Sequence, residues 1–221
     1  MNSIIGDSRV SYIKTHRSLF KKVEVEDVWS RPGGRLEHCV DMIEENLQYH
    51  HPPLTPGMNH YYILSGICDV TTKLASQEVI FNYDDLLINE LKAKLDNVNI
   101  RIVKQGVLPV FCTIIPMHLE TWNKTRLAQG KTMKLIHMEK YPQMQKDLET
   151  ALDELNHHII KINSLKSLAT PLTHTSLLKR QNKVYYHLYG LLPDGCHPSE
   201  KATERIIKTI NNAMVLNKDK H

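Results

Sequence analysis

The chain is predicted to fold as an α/β protein, three α/β/α layers around a central parallel sheet of about five strands. Three observations lead there. Short apolar runs alternate along the chain with longer segments of helical periodicity, the pattern of strands joined by crossover helices. Two of the runs, Tyr61–Leu64 and Val107–Ile115, are almost continuously apolar, as strands buried on both faces should be. Chemically unusual residues cluster immediately after apolar runs and at a late turn, where an open parallel sheet places its ligands.

In chain order, Asn2–Ile5 is a short apolar run closed by Gly6. The segment after it carries Val10, Ile13 and Phe20 among Lys, His and Arg, as in an amphipathic helix. Val23 to Trp29 alternates with period two, an edge or half-buried strand, and Arg31-Pro-Gly-Gly-Arg35 breaks the chain. Leu36, Cys39, Val40, Ile43 and Leu47 form a helical stripe that ends before the Pro-rich stretch 51–57. Tyr61–Leu64 is the next strand, stopped by Ser65-Gly66. A helix is expected over about 83–103, a strand over 107–115 with Pro109 near its start, and an irregular surface excursion over 117–134. A long helix over about 144–165, a strand at 184–188 and a last helix from Pro198 to about Met214 complete the pattern. The long helix is read as covering the sheet.

The composition narrows the function classes. With 221 residues, 41% hydrophobic and 24% charged, the chain can build one full core and is read as a single domain, 1–221. Its longest apolar stretch, Val107–Met117, is well short of the roughly 18 residues needed to span a bilayer. The N-terminus lacks a basic region ahead of an apolar core, so an intracellular location is expected. Cys39, Cys68, Cys112 and Cys196 are far apart and are expected to be reduced thiols. The net charge of +4 is spread among interleaved acids and bases, and no nucleic-acid-binding motif is present. His50-His51 and His157-His158 lack the spacing of metal ligands, so neither metal nor cofactor is implied.

Ser8 has the position of a nucleophile. Between a strand and a helix, its hydroxyl stands at the sheet edge and its N–H belongs to the donor-rich first helical turn. A plain helix cap at Asp7 or Ser8 is the competing use of the same residues. Far along the chain, Asp194-Gly195-Cys196-His197 allows one tight turn to hold a carboxylate against an imidazole, whose other nitrogen could take the serine proton.

Together, Gly6-Asp7-Ser8 after the first strand, a glycine in the loop after the second, Gly66-x-x-Asp69 after the third and Asp194-x-x-His197 before the last helix resemble the SGNH (GDSL-like) hydrolases. The resemblance spans nearly the whole chain. From 155–156 through Thr170-Pro171 and Tyr189 the sequence is also similar to SGNH domains carried in invertebrate genomes, some in retroelement reading frames.

The resemblance implies a flavodoxin-like sheet and a serine esterase or acetylhydrolase acting on a small-molecule, glycan or lipid ester. Ser8 would be nucleophile, His197 base and Asp194 its orienter. The Ser8 N–H and the N–H of Gly34 or Gly33 would be oxyanion donors. Cys68 stands where the family pattern has an asparagine that supplies a further donor, which implies reduced activity or a binding module that has lost catalysis. Cys68 as nucleophile is disfavoured because no histidine adjoins it. Tyr185, Tyr186 and Tyr189 either line an acyl pocket or pack the last strand.

Overall fold

The computed structural model describes residues 2–21, 23–49, 59–181 and 184–218. Its main sheet contains β1 (Asn2–Gly6), β2 (Asp27–Ser30), β3 (His60–Leu64) and β6 (Leu108–Phe111), all parallel, in the order β2-β1-β3-β6. Two hairpins lie outside it: β4 (Thr72–Lys73) with β5 (Val79–Ile80), and β7 (Leu178–Gln181) with β8 (Val184–His187). The helices are α1 (Ser8–Thr15), α2 (Leu36–Tyr49), α3 (Ile67–Val70), α4 (Asp85–Val103), α5 (Leu119–Ala128), α6 (Tyr141–Leu165) and α7 (Glu200–Asn217).

Alternation along the strands divides the core into two layers. Ile5, Tyr61, Ile63 and Phe111 face one side, against α2, α4 and α6. Ile4, Tyr62, Leu64 and Val110 face the other, against α1 and α7. The expected three-layer arrangement is therefore present. Because successive side chains of a strand point to opposite faces, a strand covered on both sides has no polar face, hence the unbroken apolar run in β3.

The sheet has four strands among the described residues rather than about five. The segment 184–188, read as a main-sheet strand, instead pairs antiparallel with β7. Side-chain amides occupy part of the edge that a further strand would have covered. Asn163 on α6 accepts from the Phe111 N–H at 3.1 Å and donates to its carbonyl at 2.7 Å. Seven residues earlier, on the same helix face, Asn156 does the same for Ile114 at 2.6 and 3.3 Å. Each amide offers one donor and one acceptor, the complement of one backbone residue, so these edge groups are satisfied without a strand.

The segment 117–134, expected to be irregular, contains α5. His118 caps it by accepting from the Thr121 N–H. Only Leu119 and Asn123 of this helix are buried, so its apolar periodicity is weak. The stretch 51–57 lies outside the described residues. Among those residues, no helix is long and apolar enough to cross a membrane.

Candidate active site

The chain runs outward from β1 to β2 and returns past β1 to β3, so the connections from the C-terminal ends of β1 and β3 diverge, creating a crevice. Ser8 follows β1 and Cys68 follows β3 into this crevice. The turn after β1 requires glycine: a Cβ on Gly6 would lie 1.9 Å from the Leu64 carbonyl oxygen. That close approach lets the Asp7 N–H donate to the same oxygen at 3.2 Å. Asp7 caps α1 through a 2.9 Å bond from the Arg9 N–H, leaving Ser8 as the first helical residue.

The sequence at 194–197 folds back onto Ser8. The Asp194 Oδ1 accepts from the N–H groups of Cys196 and His197 at 2.9 and 2.7 Å, closing the turn. Its Oδ2 lies 2.6 Å from His197 Nδ1, and His197 Nε2 lies 2.9 Å from Ser8 Oγ. An ionised carboxylate can only accept, so the consistent assignment puts the ring hydrogen on Nδ1 and leaves Nε2 to accept from the serine. Burial pushes the Asp194 carboxyl up, but hydrogen bonds from the His197 ring and from the backbone of His197 and Cys196 outweigh it and hold it at about 2.

The imidazole is flanked by two rings. Tyr12 stacks on it at 5.5 Å between centroids, and Trp122 meets it edge-on at 5.6 Å. Gly195 has φ +88°, and a Cβ there would lie 2.4 Å from the Trp122 nitrogen. The His118 N–H donates to the Gly195 carbonyl at 2.7 Å, so the histidine turn sits flush against the start of α5.

Ser8, His197, Gly33, Cys68 and Cys196 line one cavity of about 540 Å³. The two glycines expected as alternative oxyanion donors differ in their surroundings. The Gly34 N–H donates to the Arg31 carbonyl at 2.8 Å inside the loop, whereas Gly33 faces the cavity. The loop is fixed from β3's side: Ser65 Oγ donates to the Gly34 carbonyl, and Asp69 accepts from the Leu36 N–H at 2.9 Å and from Lys94 Nζ at 2.6 Å. Cys68 is half-buried, and burial pushes its thiol up, so the sulfur retains its proton at neutral pH.

The fold is similar to that of several solved structures. A Bacteroides fragilis protein classed as an acylhydrolase aligns with a TM-score of 0.64 at 13% identity, over 98% of this chain and 87% of that one. A GDSL-like lipase from Bacteroides thetaiotaomicron gives 0.63 at 13% over 97% and 87%. A member of the lipolytic G-D-S-L family from Veillonella parvula gives 0.57 at 10% over 97% and 99%. The chain has the SGNH hydrolase fold. No protein-family profile and no curated protein sequence matches it.

On this SGNH frame, several residues around the crevice were not singled out from sequence. Arg9 is 1% exposed, ion-paired with Asp7 and bonded to the Ile115 carbonyl at 2.7 Å. Trp122 and Arg126 line the cavity from α5, and Lys73 and Val79 line it from the β4–β5 hairpin. The buried Asn123 joins these two elements by accepting from the Val79 N–H at 2.8 Å and donating to its carbonyl at 2.6 Å. Tyr189 is engaged elsewhere, with Gln145 and Glu149, and the side chains of Tyr185 and Tyr186 lie outside the described residues. His157 bonds its own helix and His158 faces Asp96. Among the described residues no cluster has the makings of a metal site.

Proposed function

We propose that the protein is a serine hydrolase that cleaves carboxylic esters through an acyl-enzyme on Ser8. The observation that carries this reading is the continuous relay from Ser8 Oγ through His197 to Asp194, with both links at hydrogen-bond distance. The fold it shares with GDSL-like lipases supports the same reading.

Ser8 Oγ attacks the ester carbonyl carbon while His197 Nε2 accepts its proton. Asp194 stabilises the resulting imidazolium. The oxyanion is received by the N–H of Ser8 at the start of α1 and the N–H of Gly33, with the Cys68 thiol as a weak further donor. The imidazolium gives its proton to the departing alkoxide, releasing the alcohol. Water, deprotonated by the same histidine, then attacks the acyl-enzyme, freeing the acid and restoring Ser8.

A thiol where an amide is usual supports a second reading, a catalytically impaired module that keeps the pocket for binding. Hydrolysis of 4-nitrophenyl acetate separates the two. The proposed esterase turns it over, and Ser8→Ala lowers kcat by roughly 10⁴-fold or more. Equal background rates for wild type and Ser8→Ala would leave only the binding module.

A further inference from the structure

We infer that the ester accepted at this site carries a negative charge, an inference that rests on the hydrolase reading and names its substrate class. Three cations from three separate parts of the chain converge on the cavity beside Ser8: Arg35 from the β2–α2 loop, Lys73 from β4 and Arg126 from α5. Among the described residues, no carboxylate lines it. The rest of the wall includes the apolar Val79, Met117 and Trp122.

The nearby acids are already engaged and do not neutralise these cations. Asp7 is paired with Arg9, Asp69 with Lys94, and Asp194 with His197. Among the described residues, none of Arg35, Lys73 and Arg126 takes part in a salt bridge. The Arg126 guanidinium lies 5.3 Å from the centre of the Trp122 ring, and one of its terminal nitrogens donates to the Lys131 carbonyl at 3.5 Å. A crevice lined by one sign of charge focuses the field and raises both local concentration and affinity of a ligand of opposite sign. The matching ligand has an apolar body, an ester at Ser8 and a carboxylate, sulfonate or phosphate reaching the basic wall.

Two matched pairs of esters test this and distinguish which half of the ester bears the charge. The monoanionic 4-nitrophenyl adipate against 4-nitrophenyl hexanoate places it on the acyl side. The 4-acetoxybenzoate anion against its methyl ester places it on the alcohol side. With rates normalised to hydroxide hydrolysis, the anionic member of at least one pair is expected to have kcat/KM about tenfold higher or more at low salt. That advantage should shrink as ionic strength rises. Arg35→Gln, Lys73→Gln and Arg126→Gln should lower the anionic-to-neutral ratio, and Lys73→Arg should retain it. The salt titration needs no variant, so a substitution that fails to fold does not remove the test. Calorimetric titration of the same esters into Ser8→Ala reads binding without turnover. Tighter binding of the anionic member there, with no hydrolysis by wild type, would keep the anion site and reject the esterase. Equal or weaker handling of the anionic member of both pairs, in turnover and in binding, overturns the inference.

Discussion

The Arg9 guanidinium and the Asp7 carboxylate, two residues apart and each 1% exposed, form a two-point ion pair flanking Ser8: Arg9 Nε donates to Asp7 at 3.0 Å and the terminal nitrogen donates to the other oxygen. The remaining arm of Arg9 reaches the Ile115 carbonyl, tying the β1–α1 turn to the segment beyond β6. Burial opposes the charge on Arg9, yet the Asp7 carboxylate outweighs it and raises the guanidinium above its ordinary pKa. Removing one member of such a pair strands the other charge. Arg9→Met is expected to cost about 3–5 kcal/mol in urea unfolding. The double variant Asp7→Asn/Arg9→Met should recover part of that loss, and a double variant less stable than both single ones would contradict the account.

Gly195 is held at positive φ against backbone atoms of α5, which cannot move aside as a side chain could. Gly195→Ala should therefore push the Asp194–His197 turn away from Ser8. A displacement of about 1 Å at a reacting group costs roughly 10²-fold in rate. The expected result is that loss in kcat, with about 1–3 kcal/mol of destabilisation from the strained backbone. Wild-type kinetics in the alanine variant would show that the turn is not positioned by this contact.

The depressed carboxyl of Asp194 has a consequence for acid stability. Its folded pKa of about 2 lies below the ordinary 3.8, so the ionised form favours the folded state. That contribution is complete above the unfolded value and is lost as pH falls through the folded one. The stability difference between wild type and Asp194→Asn should thus be constant near neutrality and shrink between about pH 4 and pH 2. Chemical unfolding across that range checks it, and a difference independent of pH would assign the carboxyl an ordinary pKa.

In the proposed mechanism Cys68 bears on rate rather than on fold. One good oxyanion donor is worth about 10²–10³ in turnover, and a thiol supplies little of that. Cys68→Asn is expected to raise kcat on an activated ester by up to about 10²-fold. Cys68→Ala should leave it near the wild-type value. An unchanged rate in Cys68→Asn would mean that position 68 does not face the oxyanion.

The parts of the site legible in the sequence were those with a local signature. The β3 run, the Gly-Asp-Ser turn and the Asp194-x-x-His197 turn each depend on a few adjacent residues, and these align with the strand ends and the hydrogen-bonded relay seen in the structure. What was hidden depends on distant partners. Asn123, Asn156, Asn163 and Asn217 are buried amides that each bond both the N–H and the carbonyl of one remote residue: Val79, Ile114, Phe111 and Ala169. In sequence they are polar residues without periodic meaning. Their effects include the amide-covered edge of β6 and the docking of α5 on the β4–β5 hairpin. With α5 hidden, Trp122 and Arg126 could not be placed at the cavity. The turning of the Gly34 N–H into its own loop, with Gly33 on the cavity wall, was likewise not legible in the sequence.

Ser8 as a nucleophile activated by His197 is tested by covalent labelling with a fluorophosphonate followed by intact-mass measurement. A single adduct is expected on folded wild-type protein, mapped to Ser8, absent in Ser8→Ala and strongly slowed in His197→Ala. No adduct on folded wild-type protein, or an adduct that persists in Ser8→Ala, would contradict it.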